Sequence, residues 1–198
     1  MKTQSLRSMT KEVSICSVRS DMRFTTLRLL REHRPHDSRE AEHRRRMLEL
    51  LLESERPFHR GSFGPGHFTA SAFVLARDAT RLLLIHHSAL DRWLQPGGHV
   101  EAGDESLSAT ARRELIEETG VDPGPADLTL FDVDVHRIPG RHDQPVHEHF
   151  DVRFLARTAS CAPTAGSGVR EARWVPLAEA LGLMKPDEAT ARICRKLG

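Results

Sequence analysis

Apolar positions along the chain change their period several times, and each change marks an element. Over residues 22–55 they recur at helical spacing. Phe24, Leu27 and Leu30 form one stripe, which Pro35 ends. Asp37 or Ser38 can cap a second helix with Ala41, Leu48, Leu51 and Leu52 on one side. Arg44, Arg45 and Arg46 lie on another side among Glu40, Glu42 and Glu49, as on a solvated face. A turn-rich connector, 57–66, separates this stretch from strand-like sequence. Residues 67–75 and 81–86 read as two strands of a hairpin that turns at Arg77 and Asp78. Residues 128–136 and 147–155 alternate in polarity, as half-buried strands do. In the second of these, His147, His149, Asp151 and Arg153 share one face, and Phe150, Val152 and Phe154 share the other. The polar row reads either as the wet face of an edge strand or as a substrate-facing row, with Glu148 directed to the opposite side. A last strand at 169–175, a short helix opened by Pro176 and a final helix capped by Asp187 complete the pattern. The connector divides the chain into a tail and helical extension, 1–60, and a main domain with a C-terminal helix, 61–198. The extension is expected to lie outside the catalytic fold.

One helix stands apart for its chemistry. Residues 106–119 hold good helix formers and no Gly or Pro, and Gly120 follows where a helix end takes a left-handed residue. Leu107, Ala111 and Leu115 repeat every fourth residue and supply an apolar anchor. Glu114, Glu117 and Glu118 fall at i, i+3 and i+4, so they converge within about 100° of arc. Three clustered carboxylates repel one another, and a hard divalent cation with oxygen ligands offsets that cost. Arg113 can brace Glu117 one turn away. Gly97 and Gly98, just upstream, let the backbone approach a metal or phosphate closely.

The stretch from Gly98 to Val121 resembles the Nudix box, G-x5-E-x7-R-E-U-x-E-E-x-G-U, in which U is a bulky aliphatic residue. Arg113, Glu114, Leu115, Glu117, Glu118, Gly120 and Val121 match its second half at every fixed position. The first half holds one extra residue: counting forward from Gly98 places the box glutamate at Asp104, and counting back from Arg113 places it at Glu105. Helix chemistry favours Asp104 as the cap of a helix starting at Glu105, leaving Glu105 as the box equivalent. The resemblance implies an α/β fold, a Nudix-type α/β/α sandwich with a mixed sheet, here preceded by the helical extension. It implies hydrolysis of a nucleoside diphosphate linked to another moiety, with water attacking phosphorus. Mg²⁺, with Mn²⁺ as a substitute, would be held by Glu114, Glu117, Glu118 and Glu105. Glu117, Glu114 and Arg113 would be catalytic; Gly97, Gly98, His147, His149 and Asp151 would face substrate. The competing class is a non-catalytic Nudix-like sensor of a nucleotide metabolite; the complete second half of the box favours the enzyme.

Composition narrows the partners. The formal net charge is +1 over 198 residues, so no global field recruits nucleic acid or a membrane surface. Neither is expected as a partner, whereas a small nucleoside diphosphate derivative is. The three cysteines, Cys16, Cys161 and Cys194, are scattered without metal spacing, which suits reduced thiols and a cytoplasmic location. They lie far in sequence from the box, which argues against an isoprenoid diphosphate isomerase that needs a cysteine in its pocket. The run Leu50-Leu51-Leu52 needs a partner surface, either the main domain or a second subunit in a homodimer.

Overall fold

The computed structural model describes residues 22–124, 127–141, 144–159, 161–184 and 187–197. Cys16 with the rest of the tail, and Pro125, lie outside them. Two helices come first, α1 (22–32) and α2 (Ser38–Glu53). Asp37 caps α2, its carboxylate accepting from the Glu40 N–H. The remaining elements are β1 (Gly66–Ala76), β2 (Arg81–His87), β3 (Arg92–Leu94), β4 (Gly97–His99), α3 (Leu107–Thr119), β5 (Thr129–Ile138), β6 (His147–Thr158), β7 (Val169–Pro176), α4 (Leu177–Leu183) and α5 (Glu188–Leu197). The short strands β3 and β4 have too few residues to show a period, and the sequence pattern did not reveal them.

The seven strands form one mixed sheet of order β3-β2-β1-β6-β5, with β4 also paired to β1 and β7 to β2. β1 and β2 form the expected antiparallel hairpin, Leu75 opposite Leu82. On its other side β1 runs parallel to β6 in unbroken register from Gly66–Glu148 to Ala76–Thr158. β6 is therefore an interior strand flanked by β1 and β5, not an edge, and its polar row is not a wet face. Only a strand buried on both sides can be continuously buried, and β1 is buried along its whole length.

Period-2 geometry sends successive side chains of β1 to opposite layers. Phe68, Ala70, Ala72 and Val74 join Leu107, Ala111 and Leu115 of α3 in one core cluster. Phe73 and Leu75 join Leu82, Leu84, Val175, Ala180 and Ile193 in a second cluster beneath α4 and α5. The result is the α/β/α sandwich that the resemblance implied. The first cluster also contains Leu30, Met47, Leu50 and Leu51. The two N-terminal helices thus lie within the core of the sandwich rather than outside it, because their apolar faces cover the sheet next to α3. Leu50 and Leu51 find their partner surface there. Phe24 and Leu52, read as inward from the sequence, face solvent.

α2 also closes the sheet at β5, whose outer row of N–H groups has no strand beside it among the described residues. Glu40 Oε1 accepts from Val133 N at 3.3 Å and His43 Nδ1 from Val135 N at 3.3 Å. Below this edge a buried ion network links β5, β6 and α5. Arg192 donates to Asp132 at 2.7 and 3.0 Å, Arg153 to Asp134 and Asp151 at 3.0 Å each, and Lys196 to Glu40 at 2.6 Å and Asp132 at 2.8 Å. Burial pushes the Glu40 carboxyl up, but the His33 ring, the His36 N–H and Lys196 outweigh it and hold the group well below the usual carboxylate range.

Candidate active site

α3 is positioned at both ends. Ser106, not Asp104, is its N-cap, accepting from Ala109 N at 3.1 Å. At the far end Gly120 adopts the left-handed conformation, φ 69°, expected after a helix. The loop after β6 then meets the last turn. Thr164 N donates to Thr119 O at 2.8 Å and Gly166 N to Glu118 O at 3.0 Å, satisfying carbonyls that the helix cannot pair itself.

The anchor residues Leu107, Ala111 and Leu115 face the sheet and leave the carboxylates on the flank beside β4. β4 comes so close to this flank that a Cβ on Gly98 would stand 2.4 Å from Glu114 Oε1, so any other residue there would displace the carboxylate. Gly97 N donates to Glu118 Oε2 at 2.9 Å. Arg113 ties the group together. It donates to Glu114 Oε1 and Glu117 Oε2 at 3.0 Å each, to His99 O at 2.8 Å, and in a forked pair to both oxygens of Asp104 at 3.0 Å. Asp104 is buried and also accepts from Glu101 N and Thr110 Oγ1, both at 2.9 Å. Glu105 is exposed. Of the two candidates for the first box carboxylate, Asp104 meets Arg113. The added residue is absorbed in the loop before the helix, and Ser106 supplies the cap that the sequence argument had assigned to Asp104.

The electrostatics are those of a site lacking positive charge. Burial raises the Glu118 carboxyl to about 7; the Gly97 N–H opposes this, and Glu114 and Glu117 add to it. Glu114 is also raised, by burial and by its neighbours Glu117 and Glu101, even with Arg113 against it. Glu117 is the most open of the three, with 56% of its side chain exposed against 16% for Glu114.

The polar row of β6 sits on the other side of the sheet from α3 and divides into two. Asp151 is buried, accepting from Thr69 Oγ1 at 3.2 Å, Ser71 Oγ at 2.9 Å and Arg153 Nε at 3.0 Å. Its oxygens are engaged within the sheet, and the substrate-facing role expected from the sequence does not fit it. His147 and His149 join His67 and His99 in a group of stacked and tilted imidazoles. His67 and His99 went unnoticed in the sequence; the signal was the polar alternation His67, Thr69, Ser71 on β1 and a histidine next to Gly98. Glu148 pairs with Arg46 of α2.

The family profile for the NUDIX domain matches residues 66–194, more than half of the chain. The chain belongs to the NUDIX family. Membership assigns it to the pyrophosphohydrolases, as the resemblance implied. Solved Nudix structures share its fold. The NUDIX domain of Shewanella oneidensis NrtR, solved with ADP ribose, is 24% identical, over 65% of this chain and 84% of that one, with a TM-score of 0.50. The dihydroneopterin triphosphate pyrophosphohydrolase of E. coli is 22% identical, over 65% of this chain and 92% of that one, with a TM-score of 0.54. A bifunctional NMN adenylyltransferase/ADP ribose pyrophosphatase of Francisella tularensis, solved with AMP and a manganese ion, is 20% identical, over 79% of this chain and 48% of that one, with a TM-score of 0.50. At these identities the likeness is one of fold. No protein of curated function is similar enough in sequence to count as a relative. In this Nudix domain the donor set suits a hard divalent cation: three carboxylates on one flank of α3, two of them with raised affinity for protons and set against a glycine strand with no side chain in the way.

Proposed function

We propose that the chain hydrolyses the diphosphate linkage of a nucleoside diphosphate joined to a second moiety, using Mg²⁺, for which Mn²⁺ can substitute. The observation that supports this most directly is the contact of Glu118 with Gly97 and of Glu114 with Gly98 on β4, both carboxyls raised, with Arg113 tying Glu117 to Glu114. Glu114, Glu117 and Glu118 would hold the cation. When bound, it offsets phosphate charge and makes a water nucleophilic near neutral pH. The remaining work belongs to the chain itself. Arg113 fixes the Glu114 and Glu117 carboxylates in one orientation while Asp104 holds the guanidinium from behind. The Gly97 N–H keeps Glu118 turned to the site, and the bare Gly98 lets the Glu114 carboxylate sit directly against β4. Gly97 and Gly98 stand as substrate-side candidates, whereas His147 and His149 lie on the face of the sheet away from α3. Glu105, exposed and outside the Arg113 contacts, is the weakest of the proposed metal ligands.

The test is turnover. Nucleoside triphosphates, ADP-ribose, nucleotide sugars and coenzyme A would be screened with Mg²⁺ for release of phosphate or monophosphate. With the substrate found, Glu117→Gln should slow kcat on the order of a thousandfold, several kcal/mol of barrier, while leaving the melting temperature nearly unchanged. A wild-type rate in saturating Mg²⁺ would refute the assignment; binding without turnover across the panel would point to a sensor.

A further inference from the structure

Three histidines from three strands meet on the face of the sheet opposite α3. His67 comes from β1, His99 from β4 and His149 from β6. The register accounts for the meeting. His67 pairs with His149 across the parallel strands, and His99 pairs with Thr69, the next residue of β1 on the same face. The three rings form a nearly equilateral triangle, with centroids 5.1 Å apart for His67–His99, 5.0 Å for His67–His149 and 5.1 Å for His99–His149. One nitrogen from each ring lies within 4.8 Å of the other two.

The hydrogen bonds prepare one of these nitrogens as a ligand. A carbonyl oxygen only accepts, so the 3.0 Å contact between His67 Nδ1 and Ser62 O places the ring proton on Nδ1. That leaves Nε2 with a lone pair, and this atom is buried without a hydrogen-bond partner among the described residues, in a residue only 1% exposed. A buried acceptor with no donor is unfavourable, and a ligating histidine whose other nitrogen donates to a backbone carbonyl is the usual arrangement around bound metals. His147 backs the group. Its Nδ1 donates to Pro145 O at 2.8 Å, and its ring stacks on His67 at 5.2 Å, with Phe63 5.0 Å from it. His99 and His149 are half-buried, which leaves a way in.

We propose that His67, His99 and His149 form a second metal site, separate from the carboxylate helix, which binds a borderline transition cation of the Zn²⁺ type. An all-imidazole set excludes Mg²⁺ and Ca²⁺, which take oxygen ligands, and three nitrogens with one open position match the four-coordinate preference of Zn²⁺. Zn–N bonds of about 2.0–2.1 Å at tetrahedral angles require nitrogens about 3.4 Å apart, so binding draws the rings inward by roughly an ångström. The site lies directly behind the other one. Gly98 faces Glu114, His99 is the next residue, and its carbonyl is held by Arg113.

The experiment uses the full, untagged chain, stripped with a chelator and dialysed, and titrated calorimetrically with Zn²⁺ in excess Mg²⁺. One Zn²⁺ per chain is expected. His149→Ala and His99→Gln should each weaken it about a hundredfold or more, whereas Glu117→Gln/Glu118→Gln should leave it unchanged. X-ray absorption of the Zn²⁺-loaded wild type should show imidazole ligation, a readout independent of how the variants fold. Absence of binding, absence of imidazole scattering, or loss of Zn²⁺ in the glutamine variant with retention in the histidine variants would overturn the site. None of these outcomes depends on turnover, so the hydrolase reading stands or falls separately.

Discussion

Arg113 directs its donors at four acceptors: Asp104, Glu114, Glu117 and the His99 carbonyl. Burial pulls against its charge, yet the forked bond to Asp104 and the nearby Glu114 outweigh this and strengthen its hold on the proton. Asp104 therefore acts through Arg113 as a positioning residue. Asp104→Asn keeps the size but weakens the fork, and should lower kcat on the order of tenfold to a hundredfold and cost about 1–3 kcal/mol of stability. Glu105→Gln should change neither by a measurable amount. Activity at saturating Mg²⁺ and melting temperatures of the two variants would decide; the reverse ranking would restore Glu105 as the box carboxylate. The pair also shows where residue-level reading stopped. Spacing alone fixed Arg113, Glu114, Glu117 and Glu118 on one flank, because helix geometry leaves no freedom there. It left Asp104 and Glu105 undecided, since a loop can absorb one residue in many ways, and Ser106 is as good a cap as Asp.

At the scale of elements, periodicity identified α2, α3, β1, β2, β5, β6 and β7 and the β1–β2 hairpin, and hid the other pairings. β6 alternates as an edge strand would, yet lies inside the sheet; its polar side is matched by hydroxyls, carboxylates and imidazoles on adjacent strands. Pairing partners far apart in sequence cannot be read from one strand's pattern. The same holds for α2, whose Glu40 and Glu42 look alike in sequence; one is buried against β5 and Lys196, the other pairs with Arg45 at the surface. Glu40 makes acid sensitivity predictable. Its folded affinity for protons is below its ordinary value of 4.5. The stabilisation it gives is complete above about that pH and is lost as pH falls through the depressed folded value. Asp134 behaves alike from 3.8, because Arg153 and His136 outweigh its burial. The melting temperature should thus fall steeply below about pH 4.5. Glu40→Gln should cost about 3 kcal/mol at pH 7 and flatten part of that slope. An unchanged slope in the variant would show that Glu40 has no share in it.

For the molecule as a whole, the N-terminal helices decide whether the Nudix fold stands alone. The family profile begins at residue 66, and a connector precedes it, so the sequence suggested a boundary. The packing runs across that boundary, through Leu30, Met47, Leu50 and Leu51 into the core shared with α3. A chain starting at Ser62 loses these four buried side chains and Glu40 with them. At about 2–3 kcal/mol for each large apolar group, the loss rivals the whole stability of an ordinary domain. Circular dichroism and thermal melting of the truncated chain should show weakened secondary structure and no cooperative transition. A native-like melt would show that the extension is dispensable. No helix among the described residues is long and apolar enough to cross a membrane.

The side chains of Glu40 and His43 laid along β5 have one more consequence. A strand with free N–H groups is a template on which another chain can add a strand, and proteins that leave such a row open invite runaway self-association. Here a carboxylate and an imidazole occupy the row, and the helix bearing them blocks approach. α2 thus guards the solubility of the sheet as well as filling its core. The guard rests on two polar contacts and on the helix that carries them, so a chain without α2 would offer the ten-residue β5 to a neighbouring copy as well as lose part of its core.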